Sequence, residues 1–311
     1  MGVFVFLPLV LPLTAWPIAR LAEQHLHPRP ATRLLTWVAA VLAACSTLCL
    51  ALLVVVGTAQ LPGNPLPDAW SDPEVRAALP YDEIAGPAAI PALLAVLVSC
   101  AGTAVRHRQV RRRSARALKP LRGRAVAVLS DSSPYAYALP GTGRRSGRVV
   151  VTTGMLSVLE PAERRALFAH ERAHLTGRHH RLLLAVQLAA RANPFLRPLR
   201  TAVTCTAERW ADEEAAVAVG SRRVVARAVG KAALLSAGTP GPALAGFAGG
   251  PVPRRVAALL EPAPSARIWP PVSTTAGLAA WGAAVGTTAS ALSSANSAVT
   301  LFLVLRAASP A

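Results

Sequence analysis

Long uncharged stretches divide this chain and predict helices that cross a membrane. Four stretches are free of charged side chains over lengths that match a bilayer, at about residues 2–19, 34–59, 86–105 and within 276–305. The first stretch lacks the basic start of a signal peptide, so we expect a retained span that is bent at its prolines. The pattern therefore predicts about four transmembrane helices.

A long hydrophilic segment separates the third predicted span from the fourth. Short apolar runs predict three strands in it, at residues 125–129, 135–139 and 148–152. Apolar residues at helical spacing then predict three helices, at about 161–177, 181–192 and 201–219. We expect an α-helical membrane protein with three regions: residues 1–105 with three spans, 106–267 as an α+β domain, and 268–311 with the fourth span and a short C-terminal tail.

The composition agrees with a membrane protein. Hydrophobic residues make up 53% of the 311 residues and charged residues only 15%, so the chain is more apolar than an ordinary soluble domain. The formal net charge is +18, and the basic residues are nearly all arginine, which favours a bacterial source with a GC-rich genome. The four cysteines form no CxxC pair, so we expect no cysteine-ligated metal.

The charges of the loops predict the orientation in the membrane. Basic residues dominate 20–33 and 106–124, whereas 60–85 is mostly acidic. Because Lys and Arg stay on the cytoplasmic side, we expect a multi-pass protein of the cell membrane with its N-terminus outside and residues 106–267 in the cytoplasm. No aromatic residues interleave with the arginines of 106–124. Contact with the anionic lipid surface is therefore favoured, and no direct nucleic-acid binding is expected.

The segment 170–174, His-Glu-Arg-Ala-His, carries the strongest chemical signal of the chain. His170 and His174 are four residues apart, so both imidazoles lie on one helix face and can bind one Zn²⁺ ion, while Glu171 can act as the catalytic base. A catalytic zinc needs a third protein ligand, for which Glu208 is the candidate. Asp212, one turn further on, would accept the free Nδ1–H of a ligating histidine. The alternative for the two histidines is a partly buried pair without metal. The alternative for Glu208 and Asp212 is the charged surface of an amphipathic helix.

The predicted strand at 135–139 is the candidate substrate-binding edge, with Tyr135, Tyr137 and Leu139 as its substrate-binding residues. An extended peptide would add to this edge through main-chain hydrogen bonds. The alternative is an ordinary internal strand. A second donor to the developing oxyanion is left open among five side chains: Tyr135, Tyr137, His179, His180 and Arg209.

HExxH on one helix, followed by Glu208-x-x-x-Asp212 on a later helix, resembles the HtpX type of zinc peptidase. With three spans before this segment and one after it, the chain more closely resembles the BlaR/MecR antirepressor membrane peptidases. Residues 137–141, 148–154 and 253–260 share in that likeness. The resemblance implies a cytoplasmic zincin-like metallopeptidase domain with a glutamate zinc ligand, which cuts a protein, often a repressor of transcription. The penicillin-binding sensor of that family is not expected, because the chain ends soon after the fourth span.

These observations predict a membrane-embedded, zinc-dependent endopeptidase that cleaves a cytoplasmic protein, a transcriptional repressor in a signalling circuit. Its partners would be that substrate and the lipid bilayer. One alternative is an HtpX-like protease for quality control of membrane proteins. Another is a non-catalytic zinc-binding membrane receptor, although a structural zinc site has no use for the base Glu171.

Overall fold

Two short helices joined by a tight turn form the N-terminal segment of the computed structural model, which describes residues 6–59, 63, 67, 70, 82–118, 125–141, 146–236, 251–264, 271 and 273–308. The helices are α1 (Leu7–Val10) and α2 (Ala15–His25), with a 3-10 turn at Leu11–Thr14. Prolines stand in the first turns of α1 and of the 3-10 turn, where a missing N–H costs no hydrogen bond. Part of the predicted first span, residues 2–5, lies outside the described residues, and that span stays a prediction.

Two long helices follow, α3 (Pro28–Ala59) and α4 (Asp82–Ala117), and a third, Thr275–Ala308, ends the described chain. Within the described residues, three helices are long and apolar enough to cross a membrane: Pro28–Ala59, Ile84–Ala117 and Gly277–Ala307. α3 begins before the predicted 34–59, and α4 continues past 86–105 into the basic segment. The helices are longer than the uncharged stretches because hydropathy predicts only the part of a helix that can lie in lipid. Polar residues at either end can continue the same helix.

A three-stranded mixed sheet opens the hydrophilic domain. Its strands are β1 (Val126–Leu129), β2 (Ala136–Leu139) and β3 (Arg148–Thr152). The spatial order is β1-β3-β2, with β3 parallel to β1 and antiparallel to β2. β2 is therefore an edge strand of the sheet within the described part of the chain.

Helices make up the rest of the domain: α5 (Thr153–Val158), α6 (Pro161–Thr176), α7 (His179–Ala192), α8 (Arg197–Val219), α9 (Arg222–Ser236) and α10 (Val252–Leu260), before the C-terminal helix α11 (Thr275–Ala308). α6 corresponds closely to the predicted helix at 161–177. Pro161 occupies its first turn, and the Glu163 carboxylate accepts a hydrogen bond from the Glu160 main-chain N–H at 2.9 Å. The helix ends at Thr176 and is followed by Gly177, as the sequence predicts.

Small residues let α8 lie close to its neighbours. Ala207, Ala211 and Ala215 are fully buried on one face of α8, which packs against α6. On another side α8 packs against α3, where the Thr32 and Thr206 hydroxyls are hydrogen-bonded at 3.0 Å. α8 thus joins the long helix α3 to the helix that carries the HExxH motif.

Candidate metal centre

Two histidines and one glutamate meet between α6 and α8. The Nε2 atoms of His170 and His174 lie 3.1 Å apart. The Glu208 carboxylate places Oε2 3.5 Å from His170 Nε2 and Oε1 3.5 Å from His174 Nε2. The sequence predicted these three residues as metal ligands, and the structure brings one donor atom of each within 4.8 Å of the others.

The second nitrogen of each imidazole contacts another side chain. His170 Nδ1 lies 3.0 Å from Asp212 Oδ1, where the predicted role of Asp212 requires it. His174 Nδ1 lies 2.8 Å from Nδ1 of His179, the first residue of α7. An imidazole that uses Nδ1–H as a donor presents a lone pair at Nε2. Both rings can therefore offer Nε2 to the same point.

This donor set fits a catalytic zinc ion. Two imidazole nitrogens and one carboxylate oxygen are the ligands of many catalytic zinc sites, which keep a further position for water or substrate. His170 is fully buried, and the Glu208 side chain is only 8% exposed, so both are held inside the protein. Three converging N and O donors with fixed outer nitrogens are the arrangement that zinc binding needs.

Arg255 of α10 is a buried arginine that forms ion pairs with two acidic residues of the site. Its guanidinium lies 2.8 Å and 2.7 Å from the two Asp212 oxygens and 3.1 Å from Glu208 Oε2. Sequence reasoning missed this residue as part of the site. The only signal was the likeness of residues 253–260 to a family segment, which says nothing about what the arginine contacts.

Burial and buried charges shift the titration of the site residues when the protein groups alone are considered. Burial disfavours the charged form of His170, but hydrogen bonds to Asp212 and Glu208 outweigh it and raise the pKa of His170 to about 9. Burial lowers the pKa of His174 to about 3. Burial alone would raise the pKa of Asp212, but the adjacent Arg255 charge holds it well below its usual range. Asp212 is therefore an anion that accepts from both neighbours.

Glu171 is buried beside the metal ligands and next to the edge strand. Burial, with the nearby Glu208 charge, raises the pKa of Glu171 to about 7, and a hydrogen bond from the Ala138 main chain opposes this rise. A carboxyl group with a pKa near neutrality is suited to accept and release a proton. Its predicted role as the base is consistent with this environment.

The three predicted substrate-binding residues lie on or beside β2. The side chains of Tyr137 and Leu139 are buried in a small cluster with Leu118, Ala127 and Val150. Ala136 belongs to a different cluster, which includes Leu167 of α6. The Tyr137 and Leu139 side chains thus lie on the sheet face opposite α6, whereas the Ala136 side chain lies on the α6 side. A substrate-binding role of the strand stays a prediction.

The open candidates for an oxyanion donor have other contacts. The Tyr135 hydroxyl donates to Asp131 Oδ2 at 3.1 Å, and Arg209 donates to the Glu23 carbonyl at 3.0 Å. Tyr137 is buried within the sheet cluster, and His179 contacts His174. His180 lies on α7, partly buried. Of these five side chains, only His179 directly touches a predicted metal ligand in the contacts of the described residues.

Residues 101–196 match the model of peptidase family M48. A stretch of 63 residues is also 40% identical to the protease HtpX homolog of Thermoplasma acidophilum, covering 20% of this chain and 19% of that protein. The chain thus matches about a fifth of the length of this curated relative. No solved structure matches.

The chain is therefore similar to M48 peptidases and to this HtpX homolog over part of its length, and it has three helices that are apolar enough to cross a membrane within the described residues. The matched family segment contains β1 to α7, including His170, Glu171 and His174, and it ends before α8. The position of Glu208 beside the histidines is therefore an observation of the structure, independent of the family match.

Proposed function

We propose that this chain is a membrane zinc endopeptidase in which His170, His174 and Glu208 hold one zinc ion and Glu171 is the base. This proposal rests on three donor atoms that lie within 4.8 Å of one another and come from residues on two different helices. Glu171 lies on the same buried helix face, with its pKa near neutrality. A zinc site with a purely structural role would not need such a carboxyl group.

Each side chain of the site has a separate role in peptide hydrolysis. A bound zinc ion lowers the pKa of water and polarises a carbonyl group. Glu171 accepts the proton of the attacking water and delivers it to the leaving amine, while the Ala138 N–H holds the carboxylate in place. Asp212 and His179 fix the orientation of the two imidazoles, because each contacts the nitrogen that does not face Glu208.

A substrate segment would bind in extended form along the edge strand β2. In an antiparallel pair the main-chain groups alternate in direction, and the carbonyl of Tyr135, just before β2, accepts a hydrogen bond from the Thr152 N–H of β3. Ala136 and Ala138 then direct their main-chain groups to the open edge, where the Ala138 N–H is bonded to Glu171 and the remaining groups would pair with a substrate. An added strand there would lie next to Glu171.

In this proposal the substrate is a cytoplasmic protein, and the N-terminus of the enzyme lies outside the cell membrane. The likeness of spans and motifs to the BlaR/MecR peptidases supports a repressor as the substrate and a role in a signalling circuit. The basic segment at 106–124, which begins within the second long helix, supports the cytoplasmic location of the domain.

The Glu171→Gln variant tests the enzyme proposal. The full chain in detergent is incubated with a cytosolic extract of its source, new protein N-termini are identified by mass spectrometry, and bound zinc is measured. We expect E171Q to retain zinc while cleavage falls by about 10²–10⁴-fold, because the base is lost and the ligands remain. Glu261→Gln, which changes an exposed carboxylate beyond α10, should cleave normally. Equal cleavage by zinc-loaded E171Q and wild type would refute the proposal.

The HtpX match favours a second candidate, quality control of membrane proteins. The two roles differ in the number of substrates. Cells that carry E171Q should accumulate one or two specific proteins if the enzyme is regulatory, and many misfolded membrane proteins if it performs quality control. A non-catalytic receptor would instead be unaffected by E171Q but lose function in His170→Ala, which removes a metal ligand.

A further inference from the structure

A group of basic side chains lies where the basic end of α4 meets the start of α7. His107 and Arg111 stand one turn apart on α4, and His180 and Arg181 lie in the first turn of α7. Three of their nitrogen atoms, His107 Nε2, Arg111 Nε and His180 Nδ1, are buried without a hydrogen-bond partner among the described residues. Buried polar atoms are nearly always paired in folded proteins, so three together require an explanation.

The packing of α4 against α7 brings these residues together. The Cys100 thiol of α4 donates to the Leu188 carbonyl of α7 at 3.6 Å, which fixes the register of the two helices. From this contact, His107 lies about 10 Å further along α4, and His180 about 12 Å back along α7. The helices are antiparallel, so the two histidines reach the same level. Arg111 is held there by a hydrogen bond to the Gly141 carbonyl at 3.1 Å.

Neither helix has an acidic residue near this positive charge in the sequence. The sequence has no Asp or Glu from 84 to 130 or from 172 to 207, which includes nearly all of α4 and the whole of α7. Among the ion pairs of the described residues, none involves Arg111. Basic residues in the first turn of a helix are also disfavoured by its dipole, unless an anion lies nearby.

The neighbouring charges act on His180 directly. Burial lowers the pKa of His180 to about 4, and the positive charges of Arg111 and Arg181 contribute to the fall. His180 is therefore a neutral imidazole near pH 7, and its buried Nδ1 has no hydrogen-bond partner among the described residues. An anion between the helices would satisfy the unpaired nitrogens and offset the repulsion among the arginines.

We propose that His107, Arg111, His180 and Arg181 form a binding site for a phosphate group between α4 and α7. Guanidinium and imidazole groups are suited to phosphate oxygens, and basic pockets at the ends of membrane helices bind lipid head groups. The phosphate can belong to an anionic lipid or be free in solution. The site is separate from the metal ligands, although His180 directly follows His179, which contacts His174.

Thermal unfolding of the full chain in neutral detergent tests this site. The Tm is measured with increasing inorganic phosphate, and in a second series with short-chain phosphatidylglycerol, using phosphatidylcholine as the uncharged comparison. We expect phosphatidylglycerol to raise the Tm in a concentration-dependent way, since a ligand of the folded state stabilises it. A rise with inorganic phosphate as well would identify a site for free phosphate, and a rise with the lipid alone would identify a site for lipid head groups.

Two variants connect the effect to the proposed residues. Arg111→Gln removes a positive charge. His180→Gln removes an imidazole that is neutral near pH 7, so this second variant leaves the net charge unchanged. Each should weaken the apparent affinity by about tenfold or more. Arg112→Gln, an exposed arginine on the same helix, should behave like wild type. The proposal is overturned if neither anion raises the Tm of wild type, or if both variants respond as wild type does.

Discussion

Arg255 and Asp212 meet side by side in the protein interior, with Nη2 2.7 Å from Oδ1 and Nε 2.8 Å from Oδ2. The pair connects α10 to α8 across 43 residues of sequence. Asp212 Oδ1 also lies 3.0 Å from His170 Nδ1, and Arg255 reaches Glu208 at 3.1 Å. The arginine therefore supports one predicted metal ligand directly and another through Asp212.

Replacing Arg255 with methionine should destabilise the domain and weaken zinc binding. Removal of one partner from a buried ion pair leaves the other charge without compensation, which costs about 3–5 kcal/mol. Here Asp212 and Glu208 would both lose their positive neighbour. We expect a lower Tm and less bound zinc in R255M, measured on the purified full chain. Arg254→Met is the matched control, because Arg254 is exposed and adjacent. Equal zinc content in R255M and R254M would contradict this role.

His179 is held against His174 by a close approach of the main chain. A Cβ atom at Gly177 would overlap His179 Nε2, and the His179 ring also lies 4.4 Å from the Trp210 ring. We expect Gly177→Ala to displace His179 and so to free the Nδ1 of His174. Loss of such a supporting contact weakens zinc affinity about 10–100-fold, which competition with a chelator would measure.

Two further variants separate this effect from a general loss of stability. Gly230→Ala in α9 meets no atom within 4 Å, so it should keep full zinc affinity and stabilise its helix by about 0.5–1 kcal/mol. His179→Leu should reproduce the weak zinc binding of G177A without changing the glycine. If G177A and H179L bind zinc as tightly as G230A does, His179 does not orient the ligand.

Much of the site could be predicted from the sequence, because its main parts repeat at helical spacing. His170 and His174 lie on one face of any helix that contains them, and Glu208 and Asp212 do so on a second helix. Pro161 and Gly177 marked the limits of the first helix. The meeting of the two helices did not follow from spacing alone, and was supported by the small residues on the face of α8.

Other features have no local signal in the sequence. Arg255 is one arginine among many, and its partner Asp212 is 43 residues away, so only the packing of α10 on α8 reveals the pair. Strand order is equally non-local, since β3 lies between β1 and β2 although it follows both in the chain. The contact of His179 with His174 depends on the turn between α6 and α7, where Arg178 has a left-handed backbone with φ of 52°.

The long helices α3 and α4 approach each other closely at two glycines. A Cβ atom at Gly57 would overlap the main chain of Gly86, and one at Gly86 would overlap that of Gly57. Small residues permit such contacts between membrane helices. We expect Gly57→Ala to separate the helices and to lower stability by about 1–3 kcal/mol, seen as a lower Tm in detergent. Gly282→Ala in α11 meets no atom within 4 Å and should leave the Tm unchanged or higher. Similar Tm values for the two variants would argue against the close approach.

Glu163 should make the stability of the domain depend on pH. Its buried carboxylate lies 2.8 Å from Lys231 Nζ of α9 and accepts the Glu160 N–H at the start of α6. Burial would raise the pKa of Glu163, but the hydrogen bonds to Lys231 and Glu160 outweigh it and lower the pKa below its ordinary value of 4.5. The ionised form is favoured in the folded state. Its contribution is therefore present above the ordinary pKa and is lost as the pH falls through the lowered one.

Glu163→Gln should remove this contribution while keeping the size of the side chain. At pH 7 we expect a loss of about 1.5–3 kcal/mol, since a hydrogen bond to a charged group is lost, and a correspondingly lower Tm. The difference from wild type should begin to shrink as the pH falls below the ordinary pKa of 4.5 and should vanish below the lowered one, where the wild-type carboxylate is protonated too. Glu160→Gln is the control. Glu160 also lies near Lys231, at 3.4 Å, but it is 67% exposed, so its ion pair should contribute little to stability. A Tm difference between E163Q and wild type that stays constant from pH 7 to pH 3 would show that the ion pair does not stabilise the contact between α6 and α9.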